Sequence, residues 1–363
     1  MTTSFTHQVG GHPSTILSSP LSSSTLIKPA SSTELDFYQS LGPSLANGEF
    51  MREWCPAFYG TLRLQGKVNG NEEGNNELND ETAPSEMLVL ENLTHKFRKP
   101  NVLDIKLGQI LYDEQSASSE KIEKMKKAAE MTTSGELGLR LTGFQVWDSS
   151  SETYIQTSKP FGRTLLPSEL DLGISRFFYP PFTSLTSAEQ QQSQPLSSKD
   201  KDELPIPPES FPPPLPTDLI LPILRTLLHR LKSLSKMLSI DQDLQRLRMI
   251  GTSLLIIIEG DPQVLEKSLL RAIQDSTTPL SAEEEEEEEE EEEMDEEGNA
   301  MEDSLIPFEI KLIDFAHTTL SNGVGGNEIS KGVLKGVENF KDGLKRLVEK
   351  LEKEEERGKE VRN

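Results

Sequence analysis

Four side chains carry most of the chemistry this sequence can offer. Residues 100–108 read PNVLDIKLG, which sets Asp104 and Lys106 two positions apart. On an extended segment the two share one face, and Ile105 between them points to the other. Gly108 then releases the chain. Such a strand end holds one anionic and one cationic group against the same ligand. Residues 308–317 read FEIKLIDFAH, an apolar strand ending in the carboxylate of Asp314. A carboxylate so placed can hold a magnesium ion across phosphates. Lys28 ends the short alternating stretch Ser24–Pro29, and Glu34 follows Ser32 and Thr33, which read as a helix start. A strand-borne lysine before an early helical glutamate is one way to hold phosphate. A further cationic group comes from Lys121, Lys124 and Lys127, spaced three apart after a helix entry at Ser116–Glu120. Lysines suit phosphate as movable point charges.

The elements that must position these groups follow from periodicity. Met87–Leu93 is an apolar strand leading into the Asp104 segment, and residues 51–64 give a turn and another strand. Residues 139–147 (LRLTGFQVW) and 152–156 (ETYIQ) alternate and are joined by Asp148–Ser151, a hairpin signal. Phe161–Thr164 reads as a short loop, and residues 132–138 as a turn. A long helix starts near Thr217, with Ile220, Ile223, Leu224, Leu227, Leu228, Leu231, Leu234 and Leu238 on its core face. Gly251–Gly260 is one buried strand, residues 262–274 suit a helix, and Val333–Leu351 marks a long amphipathic helix near the C-terminal end. His7 and His12 stand five apart in HQVGGH and are read as loop histidines rather than a metal pair.

Composition sets the outer bounds. The 363 residues are 34% hydrophobic and include 23 prolines, which implies segments outside any core. The 16 acidic residues between Glu283 and Asp303 account for two-thirds of the net charge of −24, so the acidity is local. One cysteine, Cys55, excludes a disulfide framework and a cysteine zinc site, and fits a reducing compartment. No charged segment followed by an apolar run opens the chain, and no apolar run approaches about 18 residues. Neither a signal peptide nor a membrane span is expected. Residues 65–85 read as a flexible loop, and residues 182–216, rich in Ser and Pro, and 276–304, with 11 consecutive glutamates, as disordered inserts.

Taken together, a strand lysine with a helical glutamate, an Asp-x-Lys strand, a lysine-rich helix and a late strand ending in Ile-Asp-Phe follow the order of a two-lobed kinase. No glycine-rich P-loop and no His-Arg-Asp loop is present. PNVLDIKLG resembles the Pro-x-x-x-Asp-x-Lys-x-Gly signature of the inositol polyphosphate kinase family. GTSLLIIIE and LIDFAH are similar to two further motifs of that family, in the same order, and LENLTHKFRKP to its hinge. HQVGGH and ELDFY resemble its N-lobe. SSEKIEKMKK and TTSGELGLRLTGFQV resemble the multikinase branch, fungal members above all.

The resemblance implies a two-lobed, kinase-like α+β fold. Its N-lobe (1–93) would be an antiparallel sheet with a helix. Its C-lobe (94–363) would carry a second antiparallel sheet, more helices and a small inositol-binding cap (109–135). It implies that Lys28, ordered by Glu34, holds ATP phosphates, that Glu91 and Leu93 meet adenine through their backbone, and that Asn92 lies near the ribose. Asp314 would bind magnesium with help from Ser253. Asp104 would sit at the reacting hydroxyl, and Lys106 would bridge the transferred phosphoryl group and the substrate. Lys121, Lys124, Lys127 and His317 would hold the inositol phosphate. The short cap favours phosphorylation at more than one hydroxyl, hence conversion of inositol 1,4,5-trisphosphate to tetrakis- and pentakisphosphates with ATP and Mg2+. The alternatives are an inositol hexakisphosphate kinase, or a scaffold recruiting basic nuclear proteins through Glu283–Glu293. A monomer in nucleus and cytoplasm, without direct nucleic-acid binding, is expected.

Overall fold

A computed structural model describes residues 5–10, 16–19, 22–63, 86–114, 116–157, 159–180, 214–277, 306–321 and 328–362. The expected loop 65–85, His12, and the inserts 182–216 and 276–304 lie outside these residues, apart from 214–216 and 276–277. The chain forms two lobes. The smaller is an antiparallel sheet of β1 (Leu17–Ser18), β2 (Thr25–Pro29), β3 (Phe58–Arg63) and β4 (Glu86–Glu91), in the order β1-β2-β4-β3. Helix α1 (Ser32–Asp36) follows β2 directly. Ser31 caps it by accepting from the Glu34 N–H at 3.1 Å, one residue before the start read at Ser32 and Thr33.

The larger lobe is built on β5 (Pro100–Leu107), β6 (Leu139–Asp148), β7 (Thr153–Thr157), β9 (Ser253–Glu259) and β10 (Phe308–Ile313), with β8 (Leu247–Ile250) and β11 (His317–Leu320) forming a separate pair. All neighbours are antiparallel, and the five-stranded order is β10-β9-β5-β6-β7. The alternation of β5 sends Leu103, Ile105 and Leu107 into the main core and leaves Asp104 and Lys106 on the cleft face. Behind the sheet the leucine stripe of α7 (Thr217–Ile240) packs on α9 (Glu328–Arg362). Shorter helices fill the edges: α2 (Glu49–Trp54), α3 (Ser119–Glu130), α4 (Thr133–Leu137), α5 (Lys159–Thr164), α6 (Leu170–Phe178) and α8 (Pro262–Thr277).

Several local expectations are corrected. The single buried strand expected over 251–260 is β9; what the sequence reading did not separate out is β8 just before it, divided from β9 by Gly251 at φ 81°. Likewise the strand before Asp314 ends at Ile313, and Asp314 itself takes φ 65°, turning the chain into β11. Residues 161–164 are helical rather than a loop. The backbone of α5 lies so close to Leu141 O that a side chain at Gly162 would overlap it. The two lobes meet through aromatic rings: Phe37 stacks on Phe315 at 3.9 Å between centroids, which places α1 beside Asp314.

Candidate active site

The interlobe cleft gathers charged groups from distant parts of the chain. Lys28 Nζ donates to Glu34 Oε1 at 2.8 Å and to Asp314 Oδ1 at 2.7 Å. Glu34 is 1% exposed, Lys28 19% and Asp314 38%. Glu34 is therefore the anchor and Asp314 the member that faces solvent. Burial works against the Lys28 ammonium, but the two carboxylates outweigh it and hold its pKa above the ordinary lysine value. Glu34 also accepts from the Phe315 N–H at 3.3 Å, tying α1 to the turn that carries Asp314.

Asp104 is buried on the same cleft face. Desolvation raises its pKa, and Asp314 adds to the rise; hydrogen bonds from Thr142 and Ser253, and the charge of Lys106, oppose it. Thr142 Oγ1 donates to Asp104 Oδ1 at 2.7 Å and to its carbonyl at 2.9 Å. It reaches both because β6 bulges there: Asp104 faces Gly143 and Ile105 faces Leu141, leaving Thr142 as the extra residue. Lys106 Nζ donates to Gly251 O at 3.0 Å, so the positive-φ glycine that splits β8 from β9 also holds the lysine. Ser253 lies opposite both Lys106 and Ile313 and is 1% exposed. Its hydroxyl bonds Asp104, so it serves Asp104 directly.

An apolar slot runs beside these groups. Leu26 and Leu90 line it from the small lobe, and Leu93, Val102, Leu255 and Ile313 from the hinge and the large lobe. Of these, Leu93, Val102, Leu255 and Ile313 belong to an apolar cluster separate from the main core. A flat heteroaromatic ring fits such a slot. Glu91 N donates to Ala57 O at 2.9 Å, and Glu91 Oε2 accepts from the Ala57 N–H at 3.1 Å. Asn92, expected near a ribose, is engaged in the hinge turn. Its Oδ1 accepts from Thr94 N and Oγ1 at 3.1 and 2.8 Å, and its Nδ2 donates to Ser23 O at 2.8 Å. The segment Phe5–Gly10 closes the slot. His7 Nδ1 lies 2.8 Å from Gln145 Nε2 and its ring meets Tyr154 edge-on at 5.4 Å. Burial lowers the His7 pKa, favouring the neutral ring. Gly10 lies so close to Asp104 that a methyl group there would overlap Oδ2.

The cap lysines are set apart on α3. Lys121, Lys124 and Lys127 are all exposed, and Ala129 is the buried residue of that helix. Lys127 pairs with Glu123 at 3.0 Å; both are about seven-tenths exposed, so the pair is weak and readily exchanged for another anion. The helix is anchored through Thr132, whose Oγ1 donates to Ala128 O at 2.8 Å, and through α4, where Gln109 Nε2 donates to Gly135 O at 2.5 Å. His317 is exposed on β11, opposite Ile250 and so next to the glycine that receives Lys106. Sequence reasoning did not single out Thr142, Gly10 or the slot residues Val102, Leu255 and Ile313. The alternation of β5 and β9 could have indicated Val102 and Leu255, because they share a face with Asp104 and Ser253.

Among the described residues no three His, Cys, Asp or Glu side chains cluster into a metal cage. Magnesium does not require one: it keeps several waters and needs only one or two carboxylates beside phosphate oxygens. Asp314, solvent-facing and adjacent to the Lys28 ammonium, fits that requirement.

The chain is similar to known proteins. A family model described as inositol polyphosphate kinase matches residues 87–199 and 217–345. An inositol polyphosphate multikinase of Saccharomyces cerevisiae is 29% identical over 382 residues, covering 93% of this chain and 96% of its own length. One from Schizosaccharomyces pombe is 32% identical over 177 residues, covering 48% of this chain and 62% of its own. A crystal structure of the S. cerevisiae inositol phosphate multikinase Ipk2, in complex with ADP and Mn2+, aligns with 90% of this chain and 99% of its own at a TM-score of 0.56 and 26% identity.

Proposed function

The chain belongs to the inositol polyphosphate kinase family, and on that premise we propose an ATP-dependent multikinase that converts inositol 1,4,5-trisphosphate to tetrakis- and pentakisphosphates. The observation that carries this reading is the convergence of Lys28, Asp314 and Asp104 on one cleft beside an apolar slot. The slot takes the adenine, and Lys28, held in line by Glu34, takes the phosphates. Asp314 holds the divalent cation, which we take to be magnesium. When bound, the cation neutralises charge on the phosphate oxygens.

Transfer forms a bond from an inositol hydroxyl oxygen to the terminal phosphorus and breaks the bond from that phosphorus to the bridging oxygen of ADP. Asp104 orients the hydroxyl and receives its proton late, since a loose transition state needs positioning more than proton removal. Thr142 and Ser253 fix the Asp104 carboxylate for this purpose. Lys106 meets the transferred group, and the exposed lysines of α3 and His317 meet the acceptor's phosphates. An exposed, small cap restrains the ring little, which supports use of more than one hydroxyl. For the acidic tract we propose docking of basic nuclear proteins, and with it residence in both nucleus and cytoplasm. Imaging of the tagged chain with and without Glu283–Glu293 tests this.

The activity itself is tested by incubating the protein with ATP, Mg2+ and, separately, inositol tris-, tetrakis- and hexakisphosphates, with products resolved by position-specific NMR. Sequential phosphorylation of the trisphosphate is expected. Turnover of the hexakisphosphate alone would refute it.

A further inference from the structure

Lys106 is one member of a row that crosses the large sheet. Ile313 on β10 lies opposite Ser253 on β9, Ser253 opposite Lys106 on β5, and Lys106 opposite Arg140 on β6. Directly opposed residues on neighbouring strands project to the same face, so Arg140 shares the cleft face with Lys106. With strands about 4.8 Å apart, Arg140 lies roughly 14 Å along the sheet from the Asp314 end. The nucleotide groups therefore occupy one side of Asp104, and Arg140 the other.

Arg140 is half-buried, and its charged neighbours are Arg163 and Asp104. Among the described residues it has no ion pair, and Asp104 is already bonded by Thr142. Arg163 belongs to α5, which the Gly162 backbone seats against Leu141 beside the open edge of β6. Arg163 thus adds a second guanidinium beside Arg140, while Asp104, the one carboxylate near Arg140, is already held by Thr142 and faces Lys106 as well. Burial and the like charge of Arg163 depress the Arg140 pKa, and the charge of Asp104 offsets them only in part. Arginine stays charged even so, and its planar fork matches phosphate oxygens two at a time.

We infer that Arg140, with Arg163 beside it, binds a phosphate of the acceptor on the side of Asp104 remote from the nucleotide. This assignment rests on the proposed kinase activity and adds to it a residue outside the cap that fixes which hydroxyl meets Asp104. The cap lysines are exposed and mobile in reach, whereas Arg140 projects from a central strand. It therefore contributes to ring orientation as well as to affinity.

The test uses the full chain with ATP and Mg2+, and compares wild type, Arg140→Ala, Arg140→Lys and Arg163→Ala on inositol trisphosphate and on inositol bisphosphates lacking one ring phosphate each. Arg140→Ala is expected to raise the KM for trisphosphate about 10- to 100-fold, the range for a lost charge-assisted hydrogen bond. The KM for ATP should stay unchanged. Arg140→Lys should recover part of the loss, and the loss should vanish for the one bisphosphate that lacks the contacted phosphate. An unchanged acceptor KM, or an equal penalty on every acceptor, overturns the assignment and leaves the kinase reading intact. A wild type inactive on all inositol phosphates overturns both. Should Arg140→Ala fail to fold, Arg163→Ala, at an exposed position, carries the same expected acceptor-selective loss, and its absence is equally decisive.

Discussion

Replacing Asp314 with asparagine separates the catalytic contribution of this residue from its structural one. Asp314 accepts from Lys28 at 2.7 Å, but its side chain is 38% exposed. An ion pair that open to solvent contributes about 1 kcal/mol or less. Its backbone lies at φ 65°, a region asparagine tolerates as aspartate does, so the substitution adds no strain. Lys28 also keeps Glu34 at 2.8 Å. Stability of Asp314→Asn should therefore fall by no more than about 1 kcal/mol. The catalytic loss is larger, because a cation ligand at the transferring phosphate supplies several kcal/mol, and about 4 kcal/mol corresponds to roughly a thousandfold in kcat. Lys28→Met gives a contrasting result. It strands Glu34, which is 1% exposed, with the Phe315 N–H as its remaining partner. That should cost about 3 kcal/mol of stability along with activity. Urea unfolding and initial rates on the same preparations decide the matter. Should Asp314→Asn keep activity within about tenfold of wild type, or lose as much stability as Lys28→Met, the assignment of Asp314 to the cation is wrong.

Three further outcomes follow from the site. Desolvation raises the Asp104 pKa, so the ionised carboxylate costs stability above that pKa, and the cost disappears as pH falls through it. Asp104→Asn should then be more stable than wild type at neutral pH, by a margin that shrinks on acidification, while its kcat collapses; urea midpoints across pH and steady-state rates measure both. In the wild type, the acid limb of kcat/KM should lie above the ordinary aspartate range, and a limb at or below that range counts against Asp104. Gly10→Ala should force the N-terminal segment or Asp104 to shift, since its methyl would overlap Oδ2. A displacement near 1 Å predicts a loss of about 100-fold in kcat/KM, and unaltered kinetics would mean that Gly10 does not sit against Asp104 in solution. Deleting Glu283–Glu293 should leave the catalytic rate and the unfolding midpoint unchanged to within about 0.5 kcal/mol, and a collapse of activity would place the tract at the site.

Much of the candidate site was legible because its signals are local. An Asp-x-Lys pair on an extended segment faces one way by strand geometry alone, and β5 bears this out with Leu103, Ile105 and Leu107 in the core. The Lys28–Glu34 pair spans a strand, a capped turn and one helical turn, all of which have sequence signatures. The leucine stripe of α7 likewise followed from its period. Asn92 and Lys127 show where spacing is insufficient. Asn92 stands at the expected hinge, but its amide is engaged by Thr94 and Ser23. Lys127 continues the spacing of Lys121 and Lys124, yet it turns to Glu123. Spacing gives the position of a side chain on its element and leaves open the partner it selects.

By itself, then, the sequence determined the principal strands and the two long helices, the faces of β5 and α7, the family, and the small set of charged residues able to handle phosphate. These depend on periodicity and on short-range capping. The tertiary structure decided the rest. It brought Lys28 within 2.7 Å of Asp314, 286 residues away, and placed Thr142 in a bulge against Asp104. It also laid Gly10 over that carboxylate and set Arg140 opposite Lys106. Strand register, a bulge and an interlobe contact arise from pairings between distant segments, and one residue of slip would turn each of these groups away from the cleft.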